Sequence, residues 1–92
     1  MTNQNLFAMP ARVDSNTADA VREDIFAAIQ PDADLILDFK ETAYISSAGL
    51  RVVLTAQKKM KALGLELSLR NVKQQILEIF ELTGLAGVIK IV

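Results

Sequence analysis

The 92-residue chain contains no histidine, no cysteine and no tryptophan, and only four glycines and two prolines. Without histidine there can be no Ser-His-Asp triad, no histidine phosphocarrier and no histidine-ligated metal site. Without cysteine there is no disulfide, no thiolate metal ligand and no thiol nucleophile. The glycines, at positions 49, 64, 84 and 87, form no glycine-rich phosphate loop, and the acidic residues lack EF-hand spacing. We therefore expect neither a metal ion nor a cofactor, and an enzyme is the least favoured class.

The charges are balanced, with 10 basic and 11 acidic residues and a formal net charge of −1. This balance gives no basic patch of the kind that binds nucleic acid. No apolar run approaches the ~20 residues of a membrane-spanning helix. The first stretch, "MTNQNLFAMPARVD", lacks the basic and long apolar regions of an export signal. We expect no nucleic-acid partner, no membrane span and a cytoplasmic location.

A hydrophobic content of 51% favours a packed core, and the length suits one small domain over residues 1–92. Strand-like and helix-like segments alternate, which is typical of an α/β fold with helices packed on a sheet. The predicted strands are a short one at 5–9, placed at an edge by Pro10, and further ones at 34–39, 65–70 and 88–92. The strand at 34–39, "DLILDF", is almost continuously apolar, so we expect both of its faces to be covered.

Three helices are predicted between these strands. The first follows an Asn16 cap, buries Ala18, Val21 and Ile25, and stops at Pro31. The third follows an Asn71 cap with Gln74 at the capping-box position, and ends at Gly84. The second runs over about 47–63, and its predicted sheet-facing residues are Gly49, Val52, Val53, Ala56, Met60 and Leu63.

The stretch "YISSAGLR", residues 44–51, places two hydroxyls and a glycine at the start of the second helix. Ser46 or Ser47 could cap the helix, with Gly49 letting it approach the sheet closely. A nucleophilic serine is less favoured, because Ile45 stands where a nucleophile elbow needs glycine and no histidine can act as base. A phosphorylation site is the third interpretation, because a helix N-terminus accommodates an added dianion.

A second stripe on the same helix suggests a docking surface. Counted from Ser47, the residues Leu50, Arg51, Leu54 and Lys58 follow at offsets of three, four, seven and eleven. This stripe is distinct from the sheet-facing one, which predicts partly exposed leucines beside a modifiable hydroxyl. The alternative is that the helix is broadly buried and both leucines belong to the core.

The run "DLILDFKETAYISSAGLRVVLTAQKKMKALGLELSLRNVKQQILEIFELTGL" resembles the STAS domain of anti-sigma-factor antagonists. The preceding "ARVDSNTADAVREDI" is similar to the loop and first helix of that family, so the resemblance covers about residues 10–92. It implies a STAS-like α/β fold in which three helices pack on a mixed sheet of about four strands. It also implies abbreviation at both ends, with one strand instead of two before "RVDSNTA" and the last helix absent or very short.

The family motif is Asp-Ser-Ser/Thr-Gly, and its first serine is phosphorylated by a partner kinase. Aligning Gly49 with the motif glycine puts Ser47 on the phosphoserine, Ser46 on the aspartate and Ala48 on the second hydroxyl position. Ser46 is a less favoured second acceptor of phosphate. Asp14 falls on an acidic loop position that contacts the partner in the family, while its alternative role is an Asx-type turn.

The resemblance implies partner switching. In this scheme the unphosphorylated protein binds an anti-sigma factor that is also a serine protein kinase. Phosphorylation at Ser47 separates the complex, and a PP2C-type phosphatase resets it. The partner-binding residues implied are Asp14, Ser46, Ser47, Gly49, Leu50, Arg51, Leu54 and Lys58.

Two other functions within the family remain open. The chain could be a non-phosphorylated STAS subunit of a lipid-transport ABC complex, in which the serine is only a cap. It could also be a STAS switch whose output is not a sigma factor. A sheet of about four strands would leave one edge exposed, which favours self-association as a homodimer or pairing with a partner.

Overall fold

The computed structural model describes residues 3–92, and it has the predicted α/β architecture. The helices are α1 (Ala18–Ala28), α2 (Ser47–Ala62) and α3 (Gln74–Leu82). The strands are β1 (Asn3–Ala8), β2 (Arg12–Val13), β3 (Ala33–Asp38), β4 (Tyr44–Ile45), β5 (Leu67–Arg70) and β6 (Lys90–Ile91), and a 3₁₀ turn lies at Leu85–Gly87. Among the described helices, none is both long and apolar enough to cross a bilayer.

The main sheet has four strands in the order β1-β3-β5-β6, and each neighbouring pair runs parallel. The strand order advances in one direction without reversing. Because parallel crossovers are right-handed, such an order places every crossover helix on the same face of the sheet. The predicted α/β class, with three helices and a main sheet of four strands, is confirmed, but the expectation of a mixed sheet is wrong because all four strands run parallel.

The burial pattern of β3 corrects the expectation that both of its faces are covered. Ala33, Leu35 and Leu37 are buried, whereas Asp34, Ile36 and Asp38 are partly exposed. Alternate residues of a strand point to opposite faces, so only one face of the sheet is packed against helices. The run looks continuously apolar because Ile36 places one apolar side chain on the open face.

A second, two-stranded sheet pairs β2 with β4 in parallel and was not predicted. It is anchored by the Ser46 amide, which donates to the Val13 carbonyl at 2.9 Å. Next to it, the fully buried Thr42 hydroxyl donates to the Pro10 carbonyl at 2.7 Å. Through these contacts the loop after β2 lies beside the first residues of α2.

Two predicted helix caps are wrong. Helix α1 begins after Thr17 and not after Asn16, whose backbone N–H donates to the Asp14 carboxylate at 2.9 Å. Asn71 lies in the left-handed region, with φ 57°, and its side-chain amide donates to Asp38 at 3.1 Å. Asp14 thus binds the backbone N–H of Asn16, whereas Asp38 binds the side-chain nitrogen of Asn71, and neither asparagine occupies an N-cap position.

The remaining boundaries differ by small amounts. Helix α1 ends before Pro31 as predicted, and α3 ends before Gly84, whose φ of 79° is left-handed. Helix α3 begins after Lys73, with no side-chain cap, and the Gln74 amide donates to Glu78 at 3.4 Å. Leu63 is not sheet-facing, because it lies just beyond α2 and is exposed.

Candidate partner-binding site at the start of helix α2

The two serines at the start of α2 have different positions. Ser46 is the N-cap, with extended backbone and a side-chain oxygen that accepts from the Gly49 amide at a long 3.4 Å. Ser47 is the first residue of the helix and is exposed to solvent. The capping role predicted for one of the pair therefore belongs to Ser46, and the Ser47 hydroxyl is accessible to a modifying enzyme.

The surroundings of Ser47 suit a negative charge. The first backbone N–H groups of a helix have no intrahelical acceptor, and they carry the positive end of the helix dipole. Arg51 lies one turn further along α2 and is exposed, at the spacing where helix side chains are neighbours. A phosphate on Ser47 would thus meet favourable charges within its own helix.

Gly49 holds this helix end against the small sheet. A Cβ atom at this position would lie 2.5 Å from the Val13 carbonyl oxygen and 2.6 Å from a side-chain carbon of Ile45. No other residue type fits without movement of the backbone. The close approach predicted for Gly49 is therefore present, and it fixes Ser47 relative to the β2–β4 sheet.

A shallow depression lies beside Ser47, and we call it the α2 groove. It has a volume of about 280 Å³ and is lined by Ser47, Leu50, Arg51, Leu54, Thr83 and Leu85. Leu50 and Leu54 are both half-buried, and Leu50 also packs against the core. The predicted stripe thus lies partly on the surface, whereas Lys58 is exposed and is not among the lining residues.

Thr83 and Leu85 contribute to the α2 groove although sequence reasoning did not select them. Thr83 directly follows α3 and Leu85 begins the 3₁₀ turn, and both are about thirty positions away from Leu54 in the chain. Their position depends on how α3 packs, so no local pattern could have identified them.

Asp14 organises the loop that precedes α1. Its carboxylate accepts from the amides of Asn16 and Thr17, at 2.9 and 3.2 Å, and from Arg12 Nε at 2.6 Å. The Arg12 hydrogen bond, followed by these backbone amides, holds the pKa of Asp14 below its ordinary value despite the opposing effect of burial. The Asx-type role is therefore present, and contact with a partner remains a prediction for a side chain that is only 13% exposed.

Arg12 and Tyr44 form a second feature that the sequence did not reveal. The Arg12 guanidinium lies over the Tyr44 ring, 4.2 Å from its centroid, because β2 and β4 pair these residues directly. Both side chains are exposed. Tyr44 precedes Ser46 by two residues in the chain, and Arg12 lies opposite Tyr44 in the small sheet. Arginine and aromatic residues are enriched in the energetically important parts of protein interfaces.

The family model described as "STAS domain" matches residues 2–92. The chain belongs to the STAS domain family. The anti-sigma-B factor antagonist of Bacillus subtilis strain 168 is 32% identical over 79 residues, which cover 86% of this chain and 72% of that protein.

Solved structures agree on the fold. An anti-sigma-factor antagonist (STAS) domain protein from Planctomyces limnophilus has a TM-score of 0.84 and 17% identity, over 96% of this chain and 80% of that one. The phosphorylated form of the Bacillus cell fate determinant SpoIIAA has a TM-score of 0.72 and 19% identity, over 100% and 85%. At these identities the likeness establishes the STAS fold.

Proposed function

We propose that this STAS domain is an anti-sigma-factor antagonist in a partner-switching pathway. In its unphosphorylated form it binds a serine-kinase-type anti-sigma factor through the α2 groove and the adjoining loop at Asp14. Phosphorylation of Ser47 releases the partner, and a PP2C-type phosphatase restores the binding form. The domain acts in the cytoplasm as a ligand and a kinase substrate, and it performs no chemistry of its own.

The observation that carries this proposal is the exposure of Ser47 at the first position of α2, directly beside an apolar depression. A hydroxyl in that place can reach a kinase active site, while the leucines next to it supply apolar surface for a partner. The names of relatives such as the Bacillus subtilis antagonist support the same function.

Release requires no change of backbone. A phosphoserine carries a charge of about −1.5 to −2, and in the free protein this charge is solvated and lies near Arg51 and the helix N-terminus. In a complex the same charge would be desolvated against apolar and polar surface, which costs several kcal/mol. A cost of about 3 kcal/mol lowers affinity more than a hundredfold.

Ser46, in place of the aspartate of the usual family motif, does not disturb the helix start. Its side chain caps α2 through Gly49 and its backbone amide is held by Val13. The structural function of the position is therefore retained, and Ser47 remains the accessible hydroxyl. The rate at which a kinase modifies Ser47 tests whether the lost carboxylate matters for catalysis by the partner.

The direct experiment is incubation with a serine-kinase-type anti-sigma factor encoded in the same genome, with ATP, followed by intact mass analysis. We expect the addition of one phosphate to the wild-type protein and to Ser46→Ala, and none to Ser47→Ala. Since Ser46→Ala removes a neighbouring hydroxyl but leaves Ser47, it is the matched control.

The opposite results would point elsewhere in the family. Phosphate on Ser47→Ala but not on Ser46→Ala would move the modification to Ser46. If no serine-kinase-type anti-sigma factor encoded in the genome phosphorylates the protein, the proposal is contradicted. That outcome would favour the non-phosphorylated subunit of an ABC complex or a switch with another output.

A further inference from the structure

The outer edge of β1 has no strand partner within residues 3–92, where its only neighbour is β3. The Met9 amide, directly after β1, donates to the Asp38 carbonyl at 2.8 Å, so it points toward β3. Backbone groups alternate in direction along a strand. The odd-numbered residues of β1 therefore bond to β3, while Gln4, Leu6 and Ala8 direct their N–H and C=O groups outward.

This edge lacks the features that normally prevent strands from pairing. Within "NQNLFA" there is no charged residue and no proline, and the register with β3 is continuous from Asn3 to Ala8, without a bulge. The opposite edge of the sheet is different. There, β6 has only two residues, and one of them, Lys90, is exposed and forms an ion pair with Glu66 at 2.7 Å.

We propose that β1 pairs antiparallel with β1 of a second copy around a two-fold axis, joining the two four-stranded sheets into one. Residues opposite each other in such a pair have side chains on the same face. A continuous sheet thus requires even-numbered residues to oppose even-numbered ones. The outward-directed backbone groups of Gln4, Leu6 and Ala8 all find hydrogen-bond partners only when Leu6 opposes Leu6 and Gln4 opposes Ala8.

In this register each opposed pair exchanges two backbone hydrogen bonds, so the three pairs form about six. Leu6 is 53% exposed in the single chain and would lie against its symmetry mate on the open face of the sheet. On the other face Phe7 would oppose Asn5 of the second copy. Because residues 3–8 carry no charge, the pairing brings no like charges together.

A second copy fits this edge better than an unrelated peptide, since one register satisfies every free backbone group of both strands. The edge lies on a different element from the α2 groove. The proposed dimer can therefore be tested independently of the proposed anti-sigma function.

Sedimentation velocity on the 10.1 kDa chain over a range of concentrations measures the association. We expect a species of twice that mass. Leu6→Lys places two ammonium groups opposite each other across the dimer axis, and it should raise the dimer dissociation constant at least tenfold. Leu6→Pro removes the outward N–H of each chain, and thus two intermolecular hydrogen bonds, so it should have an effect of the same size. Neither change removes a β1–β3 hydrogen bond, so the melting temperature measured on the monomer should change little.

The register is tested by cysteine cross-linking, since the natural chain has no cysteine. Leu6→Cys should form an intermolecular disulfide under mild oxidation, because its symmetry mate lies directly opposite. Gln4→Cys is the matched control on the same strand and face, and it should not cross-link because Ala8 stands opposite it. Leu82→Lys, an exposed leucine on α3, should leave dimerisation unchanged.

A chain that stays monomeric at millimolar concentration would overturn the proposal. A dimer that survives both Leu6→Lys and Leu6→Pro would also overturn it, as would cross-linking of Gln4→Cys in place of Leu6→Cys.

Discussion

Replacement of Gly49 by alanine should destabilise the domain, although alanine favours helices over glycine. The new Cβ would lie 2.5 Å from the Val13 carbonyl oxygen, whereas ordinary contact begins at 3.4 Å. The start of α2 would have to retreat by about 0.9 Å, the difference of these two distances. The same carbonyl accepts the Ser46 amide at 2.9 Å, so this retreat would stretch the hydrogen bond beyond its normal range.

The magnitude follows from three contributions. Overpacking costs about 1–3 kcal/mol, and the weakened hydrogen bond costs about 0.5–1.5 kcal/mol. The intrinsic preference of helices for alanine returns about 0.5–1 kcal/mol. The expected net loss is about 0.5–4 kcal/mol of unfolding free energy, which for a domain of this size lowers the melting temperature by roughly 2–30 °C.

Thermal unfolding followed by circular dichroism measures this loss, and Gly87→Ala is the matched control. A Cβ at Gly87 meets nothing within 4 Å, and its φ is not in the left-handed range, so Gly87→Ala should change the melting temperature by little. If Gly49→Ala were as stable as the wild type, the close approach of α2 to the small sheet would be refuted.

The remaining predictions concern the groove, the loop and a buried hydroxyl. Leu54→Glu should abolish partner binding in calorimetry with little loss of melting temperature. The control is Leu82→Glu on α3, where the wild-type side chain is 87% exposed, and this variant should bind normally. If Leu54→Glu unfolds the domain instead, Leu54 belongs to the core. Thr42→Val should cost about 1–3 kcal/mol in urea unfolding, because the Pro10 carbonyl loses its buried donor, and an unchanged midpoint would contradict this. The folded-state pKa of Asp14 is lowered, so its ionised form stabilises the fold at pH above its ordinary pKa of 3.8, and that contribution is lost as pH falls through the folded pKa. Asp14→Asn should therefore reduce stability at pH 7, with the difference from wild type narrowing in acid, and a pH-independent difference would refute the linkage.

The sequence predicted the features that are set by local chemistry. Pro31 and Gly84 mark the ends of helices because of their backbone restrictions, and the apolar spacing of α2 correctly identified its buried face as far as Met60. The close approach at Gly49 was also anticipated. The assignment of Ser47 as phosphoacceptor came from family resemblance, since spacing alone favoured a simple cap.

Features that depend on contacts between distant segments were missed. Strands β2 and β4 have two residues each, too few to show a period, and the stacking of Arg12 on Tyr44 exists only because these strands pair. One local feature was missed as well, since the Asp14 carboxylate accepts from the backbone N–H of Asn16 and α1 begins only after Thr17. The open face of β3 was missed because the order of the strands in the sheet decides on which face the helices pack, and that order depends on contacts between distant segments.

The central claim is that a charge on Ser47 controls binding to the partner. Its most direct test is calorimetric titration of the anti-sigma partner with the unmodified protein and with protein phosphorylated stoichiometrically at Ser47. We expect the dissociation constant of the phosphorylated form to be at least a hundredfold higher, with both forms equally folded. Equal affinities for the two forms would contradict the account.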